Sequence, residues 1–209
     1  MTLRAVAVLL VAAIGFCAVP AVSATAWERL WEKDGVLVEH RTAAGARLSE
    51  IRATAQSPLP PVAVFETIWK YQEYPEFVPF LKRLTVLSET GDERVAYEQL
   101  AVPLVKDRDY TIRLRRRVDG ATHRYEVTIE SANDAGPPPD GTHVRVTGIR
   151  GGWTVEPGPQ GKGSLVRYEM KSDPGGLIPS WVVERTMPRA AADLMRAMLK
   201  RAWDKNGAR

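Results

Sequence analysis

Near its C-terminal end the chain reads Asp173-Pro174-Gly175-Gly176-Leu177-Ile178-Pro179-Ser180-Trp181. Pro174 removes a ladder donor, the glycine pair admits backbone angles that side chains resist, and Pro179-Ser180 suits the first turn of a helix. A strand must stop here and a helix begin. Over residues 180–203, Met187, Ala191, Leu194, Met195, Met198 and Ala202 recur at helical spacing, while Arg189, Asp193, Arg196 and Lys200 fall elsewhere. The spacing predicts one long amphipathic helix, bent by the early Pro188. Its apolar stripe needs an apolar surface to lie on.

Working back from the turn, strands are expected over 82–88, 94–102, 108–118, 123–131, 143–149, 153–156 and 164–171, parted by Gly, Pro and Asp clusters. Gly151, Gly152, Gly161 and Gly163 flank these strands and read as turns. Such a succession describes an antiparallel meander. Nearer the start, Trp27, Leu30 and Trp31 have helical spacing, so a short helix is expected over 27–34, then strands over 36–41 and 47–56. Pro58, Pro60 and Pro61 then open a helix carrying Val62, Phe65, Ile68 and Trp69 on one side. Residues 71–80 hold two prolines and four aromatics and read as a packed connection. The fold class is α+β: a curved antiparallel sheet wrapped around a long C-terminal helix, with an internal apolar cavity where the two do not close fully.

Residues 1–24 have the order of a cleavable signal peptide: Arg4, an apolar run over 5–19 at the short end for a membrane span, then Val22-Ser23-Ala24. The alternative is an uncleaved anchor. Cleavage after Ala24 predicts an exported, periplasmic or secreted product with one domain over 25–209. It also removes the only cysteine, Cys17, and with it any disulfide or thiolate site. Loss of Arg4 lowers the formal charge from +4 to +3. The basic residues are scattered apart from Arg113, Arg115, Arg116 and Arg117, too thin a pattern for nucleic acid but compatible with transient contact with an anionic membrane surface. His40, His123 and His143 lie in separate expected strands without ligand spacing, and there is no phosphate-cradling loop, nucleophile elbow or HExxH. No metal and no cofactor are expected. Nothing in the pattern sets an oligomeric state.

Two stretches resemble the START family of lipid-transfer domains. Val95-Ala96-Tyr97-Glu98, followed by Pro103 and Arg108-Asp109-Tyr110, resembles that family's paired central strands, in which an Arg-Asp-aromatic triplet opens the second strand. The turn from Asp173 to Trp181 is similar to the approach to the terminal helix in its phosphatidylcholine-transfer-like members. The resemblance implies a helix-grip fold and a cavity for a lipid, sterol-like or other hydrophobic ligand. It implies no catalytic site. The alternatives are a cyclase or aromatase using the same cavity, and a ligand-sensing scaffold.

Strand alternation names the residues that would meet a ligand. With Tyr110, Ile112 and Leu114 inward, Arg108 points the same way, while Thr111, Arg113 and Arg115 face water. Glu98, Leu100 and Val102 face inward from the neighbouring strand. Glu98 and Arg108 are the charges on an apolar wall, and each needs the other, a water or a polar head group. Some START domains place an arginine further along the second strand as the carboxylate's partner; the matching position here is Leu114. Trp69, Trp153, Trp181, Met187 and Met195 are candidates for the apolar lining or lid.

Overall fold

The computed structural model describes residues 26–42, 50–101, 106–176 and 178–207. The expected signal peptide at 1–24, residues 47–49 of the expected second strand and Leu177 of the turn lie outside the described residues. The element order is β1 (Glu28–Lys33), β2 (Val36–Arg41), β3 (Glu50–Ser57), α1 (Pro61–Trp69), β4 (Leu81–Thr90), β5 (Glu93–Leu100), β6 (Arg108–Asp119), β7 (Arg124–Ser131), β8 (Val144–Arg145), β9 (Thr147–Pro157), β10 (Ser164–Asp173) and α2 (Ser180–Asn206). A 3-10 helix, Tyr71–Glu76, joins α1 to β4.

The strands form a ten-stranded sheet in the order β1-β2-β3-β10-β9-β7-β6-β5-β4, with β8 off this path beside β6. The meander from β4 to β7 is antiparallel, as its turn spacing predicts. One row of partners, Val38, Ala53, Tyr168, Trp153 and Val127, crosses from β2 to β7 on the concave face. All five are buried. α2 packs on β2, β3, β10 and α1, and α1 packs on β7, β9 and β10. Of the expected stripe, Ala191, Met195, Met198 and Ala202 are buried, while Met187 and Leu194 are half-buried against the core; Ala192, outside it, is fully buried too. Ala53 and Ala55 on β3 leave room for the helix that lies on them. α2 runs on through Pro188.

Four expectations need correction. Residues 28–33 form a strand, not a helix, because Asp34 and Gly35 (φ 50° and 72°) make the tight turn that folds β1 onto β2. The segment read as two strands over 143–149 and 153–156 is β8, paired in parallel with β6, followed by one long β9. Gly151 and Gly152 lie inside β9, where a Cβ would overlap the Glu169 and Val127 carbonyl oxygens of the flanking strands, so these glycines mark close backbone approach within the sheet.

Thr111, expected to face water, is fully buried. The segment after β7 folds back over the convex side there: Asn133 Oδ1 accepts from the Thr111 amide at 2.7 Å, and Asn133 Nδ2 donates to the Val146 carbonyl at 2.8 Å. Asp109 beside it accepts from Arg145 at 2.9 and 2.8 Å and from the Tyr97 hydroxyl at 2.9 Å. Further along β6 the expected exposure holds: Arg115 is exposed and half-buried Arg113 reaches Glu93. Arg115 is paired with Glu93 and Glu130, and Arg116 with Asp92, so much of the basic cluster's charge is locally balanced.

Candidate functional site

Glu98 lies on β5 opposite Tyr110 of β6, and the pleat turns both to the concave face. The hydroxyls of Tyr110 and of Tyr71, from the 3-10 helix, donate to the two Glu98 carboxylate oxygens. Glu98 is 4% exposed. Burial, opposed by the Tyr110 hydrogen bond, pushes its carboxyl up from 4.5 to about 7. Burial also drives the Tyr110 hydroxyl far above its ordinary range, with the Glu98 charge adding to it. The same two causes raise Tyr168. Among the described residues no cation pairs with Glu98.

Aromatic rings surround this carboxyl. Tyr71 stacks on Tyr74 with ring centroids 4.4 Å apart, and the Tyr74 hydroxyl donates to the Ile68 carbonyl at 2.9 Å. Trp153 and Tyr168, partners on β9 and β10, pack with tilted rings, centroids 4.5 Å apart. The site therefore offers a carboxyl poised near neutrality, two hydroxyls and an apolar, aromatic wall. Chemically it can hold a polar group of an otherwise apolar molecule, or exchange a proton with one.

Arg108 does not pair with Glu98. It lies opposite Leu100, nearer the start of β6, and its Nη1 donates to the Lys106 carbonyl. It is 5% exposed, not a solvated strand end. The Gly175-Gly176 turn passes over it: a Cβ on Gly176 would sit 3.9 Å from Arg108 Nη2. Burial lowers its pKa, as expected for a guanidinium drawn from water.

The apolar candidates separate into groups. Trp153 is buried beside Tyr168, and Met195 is fully buried on the inner side of α2. Met187 is half-buried against the core. Trp69, at the end of α1, is buried between two guanidinium groups, with Arg94 at 4.3 Å and Arg116 at 5.0 Å from its ring, and its carbonyl accepts from Arg94 at 2.6 Å. That places it in a cation-ring cluster beside the β4–β5 hairpin turn, at the opposite end of β5 and β6 from Arg108. Trp181 is 64% exposed on the first turn of α2. An open cleft of about 340 Å³, bordered by Gln56, Ser57, Pro58, Leu199 and Trp203, is separate from the Glu98 cluster.

Tyr71, Tyr74 and Tyr168 escaped the sequence reading. The spacing of Tyr71, Tyr74 and Phe77 is the signal for the first two, because residues three apart eclipse on a 3-10 turn and present one aromatic face. Tyr168 was visible only through its cross-strand partner, Trp153. Among the described residues, no group of three His, Cys, Asp or Glu side chains could hold a metal ion.

The family model described as polyketide cyclase / dehydrase and lipid transport matches residues 57–199. An uncharacterised protein of Pseudomonas aeruginosa is 24% identical over 176 residues, 82% of this chain and 84% of that protein. A STAR-related lipid transfer protein fragment from Xanthomonas axonopodis superposes with a TM-score of 0.76 at 24% identity, covering 84% of this chain and 98% of its own. The human StAR-related lipid transfer protein 5 superposes with a TM-score of 0.75 at 18% identity, covering 86% of each chain. These superpositions identify the curved sheet and terminal helix as the START helix-grip fold.

Proposed function

The chain belongs to the polyketide cyclase / dehydrase and lipid transport family, and from that premise we propose that it binds one lipid-like or other hydrophobic ligand between the concave face of its sheet and α2. The observation that carries this reading is Glu98: a buried carboxyl, hydrogen-bonded by Tyr71 and Tyr110, with no cation beside it among the described residues. A core built for stability alone would place an apolar side chain there, because a buried carboxylate without a counter-charge costs on the order of several kcal/mol. A polar group of a bound molecule supplies the reason to keep it. The lipid-transfer proteins that share the fold support the apolar part of the ligand.

In this reading the protein works outside the cytoplasm once residues 1–24 are removed, and meets membranes transiently through Trp181, exposed beside the turn that leads into α2. It carries its ligand without chemistry. Mass spectrometry of organic extracts from gently purified mature protein tests it: a stoichiometric apolar compound is expected, and an empty protein that also takes up no fluorescent lipid refutes it. N-terminal sequencing tests the export, with Thr25 expected first.

One observation favours a second reading, the cyclase-type enzyme. The Glu98 carboxyl, pushed up to about 7 by burial, is hydrogen-bonded by the Tyr110 hydroxyl, an arrangement that suits general acid-base catalysis. The Glu98→Gln variant separates the two: an enzyme loses turnover of a supplied polyketide chain that the wild type converts, whereas a carrier converts none with either residue and changes only in affinity.

A further inference from the structure

Arg108 is a buried cation that forms no ion pair among the described residues; the neighbouring Asp107 acts on it only through space. All of the chain's Asp and Glu residues lie among the described residues, yet none forms an ion pair with Arg108. Its neighbours on the strand are committed elsewhere: Asp107 reaches Lys82 at 3.4 Å, and Asp109 reaches Arg145 at 2.8 Å. Asp173, in the turn before α2, accepts from the Gly175 amide at 2.9 Å. Lys106 Nζ donates to the Gly141 carbonyl at 2.6 Å, so it too meets no carboxylate. Among the described residues the Lys106 carbonyl is the one acceptor for Arg108, a group with five N–H donors in a fork that matches an oxyanion.

Its position is as telling as its charge. Arg108 shares the concave face with Tyr110 and Ile112, and β8 replaces β7 as its strand neighbour, so it stands at the rim of the apolar surface. The Gly175-Gly176 turn roofs it, and both residues have the positive φ angles (65° and 69°) that glycine tolerates. Glu98 lies diagonally inward across the strand pair, about 7 Å away between Cα atoms.

We propose that Arg108 seats the oxyanion head group of the ligand, a carboxylate or a phosphate ester, with the apolar tail running inward past Leu100 and Tyr110. This rests on the reading that the concave face takes a ligand, and it adds the ligand's class and its orientation. The guanidinium at the rim attracts the anion and holds the head under the glycine turn, and Glu98, further inward, is left for a second polar group of the ligand. The fork of donors gives two parallel hydrogen bonds to either kind of oxyanion.

The test compares anionic probes with their neutral counterparts on the mature protein: anthroyloxy-labelled stearic acid beside its methyl ester, and labelled phosphatidic acid beside its diacylglycerol. At least one anion is expected to bind about tenfold tighter than its neutral counterpart, and which one does so distinguishes a free carboxylate from a phosphate ester. Arg108→Gln should abolish that preference while neutral binding persists, and Lys106→Gln should leave it in place. Equal binding of both pairs by the wild type, or a preference retained by Arg108→Gln, overturns the proposal. If Arg108→Gln does not fold, the Arg108 Nε resonance of the wild type decides: it must move on addition of the preferred anion and not of the neutral probe. Failure of all four probes to bind refutes the ligand-binding reading itself, a result distinct from loss of the anion preference.

Discussion

Replacing Glu98 by glutamine removes one titration from the core and keeps the shape of the side chain. Burial raises the folded-state pKa of Glu98 from 4.5 to about 7. An acid whose pKa is raised on folding favours the folded state while it is protonated: its contribution is complete below about pH 4.5 and is lost as the pH rises through about 7. At 1.36 kcal/mol for each pKa unit, the loss is about 3 kcal/mol between those limits. Glutamine does not titrate. Its altered hydrogen bonding to Tyr71 and Tyr110 adds an offset that does not change with pH. The stability of Glu98→Gln relative to wild type should therefore rise by about 3 kcal/mol between about pH 4.5 and about pH 8. Urea unfolding of both proteins across that range measures it, and carboxylates elsewhere, including Asp109 and Glu73, cancel in the difference. A stability difference that stays flat with pH, or one that runs the other way, refutes the assignment of Glu98 as a buried acid without a counter-charge.

Met195, on α2, is fully buried, so Met195→Ala should lower stability by about 2 to 5 kcal/mol in thermal or urea unfolding. Asp109→Asn leaves the Arg145 guanidinium without its buried partner and should cost about 3 to 5 kcal/mol, measured in the same way. Asp109 is held below its ordinary pKa chiefly by Arg145, so this contribution is present above the unfolded value of 3.8 and fades as the pH falls below it; the variant should lose less stability in acid than the wild type. Alanine at Gly175 and Gly176 forces side chains into positive φ, at about 1 to 2 kcal/mol for each residue, and crowds the Arg145 carbonyl and Val144. If the pair is a hinge, stopped-flow uptake and release of a fluorescent lipid should slow more than the melting temperature falls; unchanged rates in a folded variant rule the hinge out.

Much of the fold was legible because its elements repeat simple periods. The stripe from Met187 to Ala202 has helical spacing and is what lies on β2 and β3; the strands from β4 to β7 and β10 alternate and are parted by turn residues. The failures occurred where a local signal competed with a longer-range one. Trp27, Leu30 and Trp31 have a helix's spacing, yet Asp34-Gly35 folds the segment onto β2, and Trp27 stacks beneath the guanidinium groups of Arg41 and Arg52 at 4.4 and 3.9 Å. The ladder with β2 outweighs a three-residue pattern in so short a segment. Gly151 and Gly152 punctuate the sequence like a turn, but their role is set by strands β7 and β10 on either side, which are distant in sequence.

The site was legible only as far as alternation reaches. Alternation identified Glu98, Arg108 and Tyr110 as sharing one face of the sheet, and the register confirms it, because pleat and pairing are regular there. It could not show that Glu98 turns to Tyr71 rather than to Arg108: Tyr71 arrives from the connection between α1 and β4, and no period relates it to β5. Nor could it show that Arg108 would be roofed by a turn more than sixty residues further along the chain. The same limit explains the misreading of Thr111, whose alternation was correct and whose burial depends on Asn133 and Gly136 of the segment after β7. Alternation reports which side of a sheet a residue occupies, whereas cover is decided by segments that cross it. In this protein those crossing segments, the 3-10 helix, the loop to β8 and the turn into α2, separate two charges that would otherwise be expected to neutralise each other. With Glu98 satisfied by hydroxyls and Arg108 held at the rim, the wall is left with two unlike polar stations along one apolar face, and the proposed seating of an anionic head group at Arg108 rests on that asymmetry.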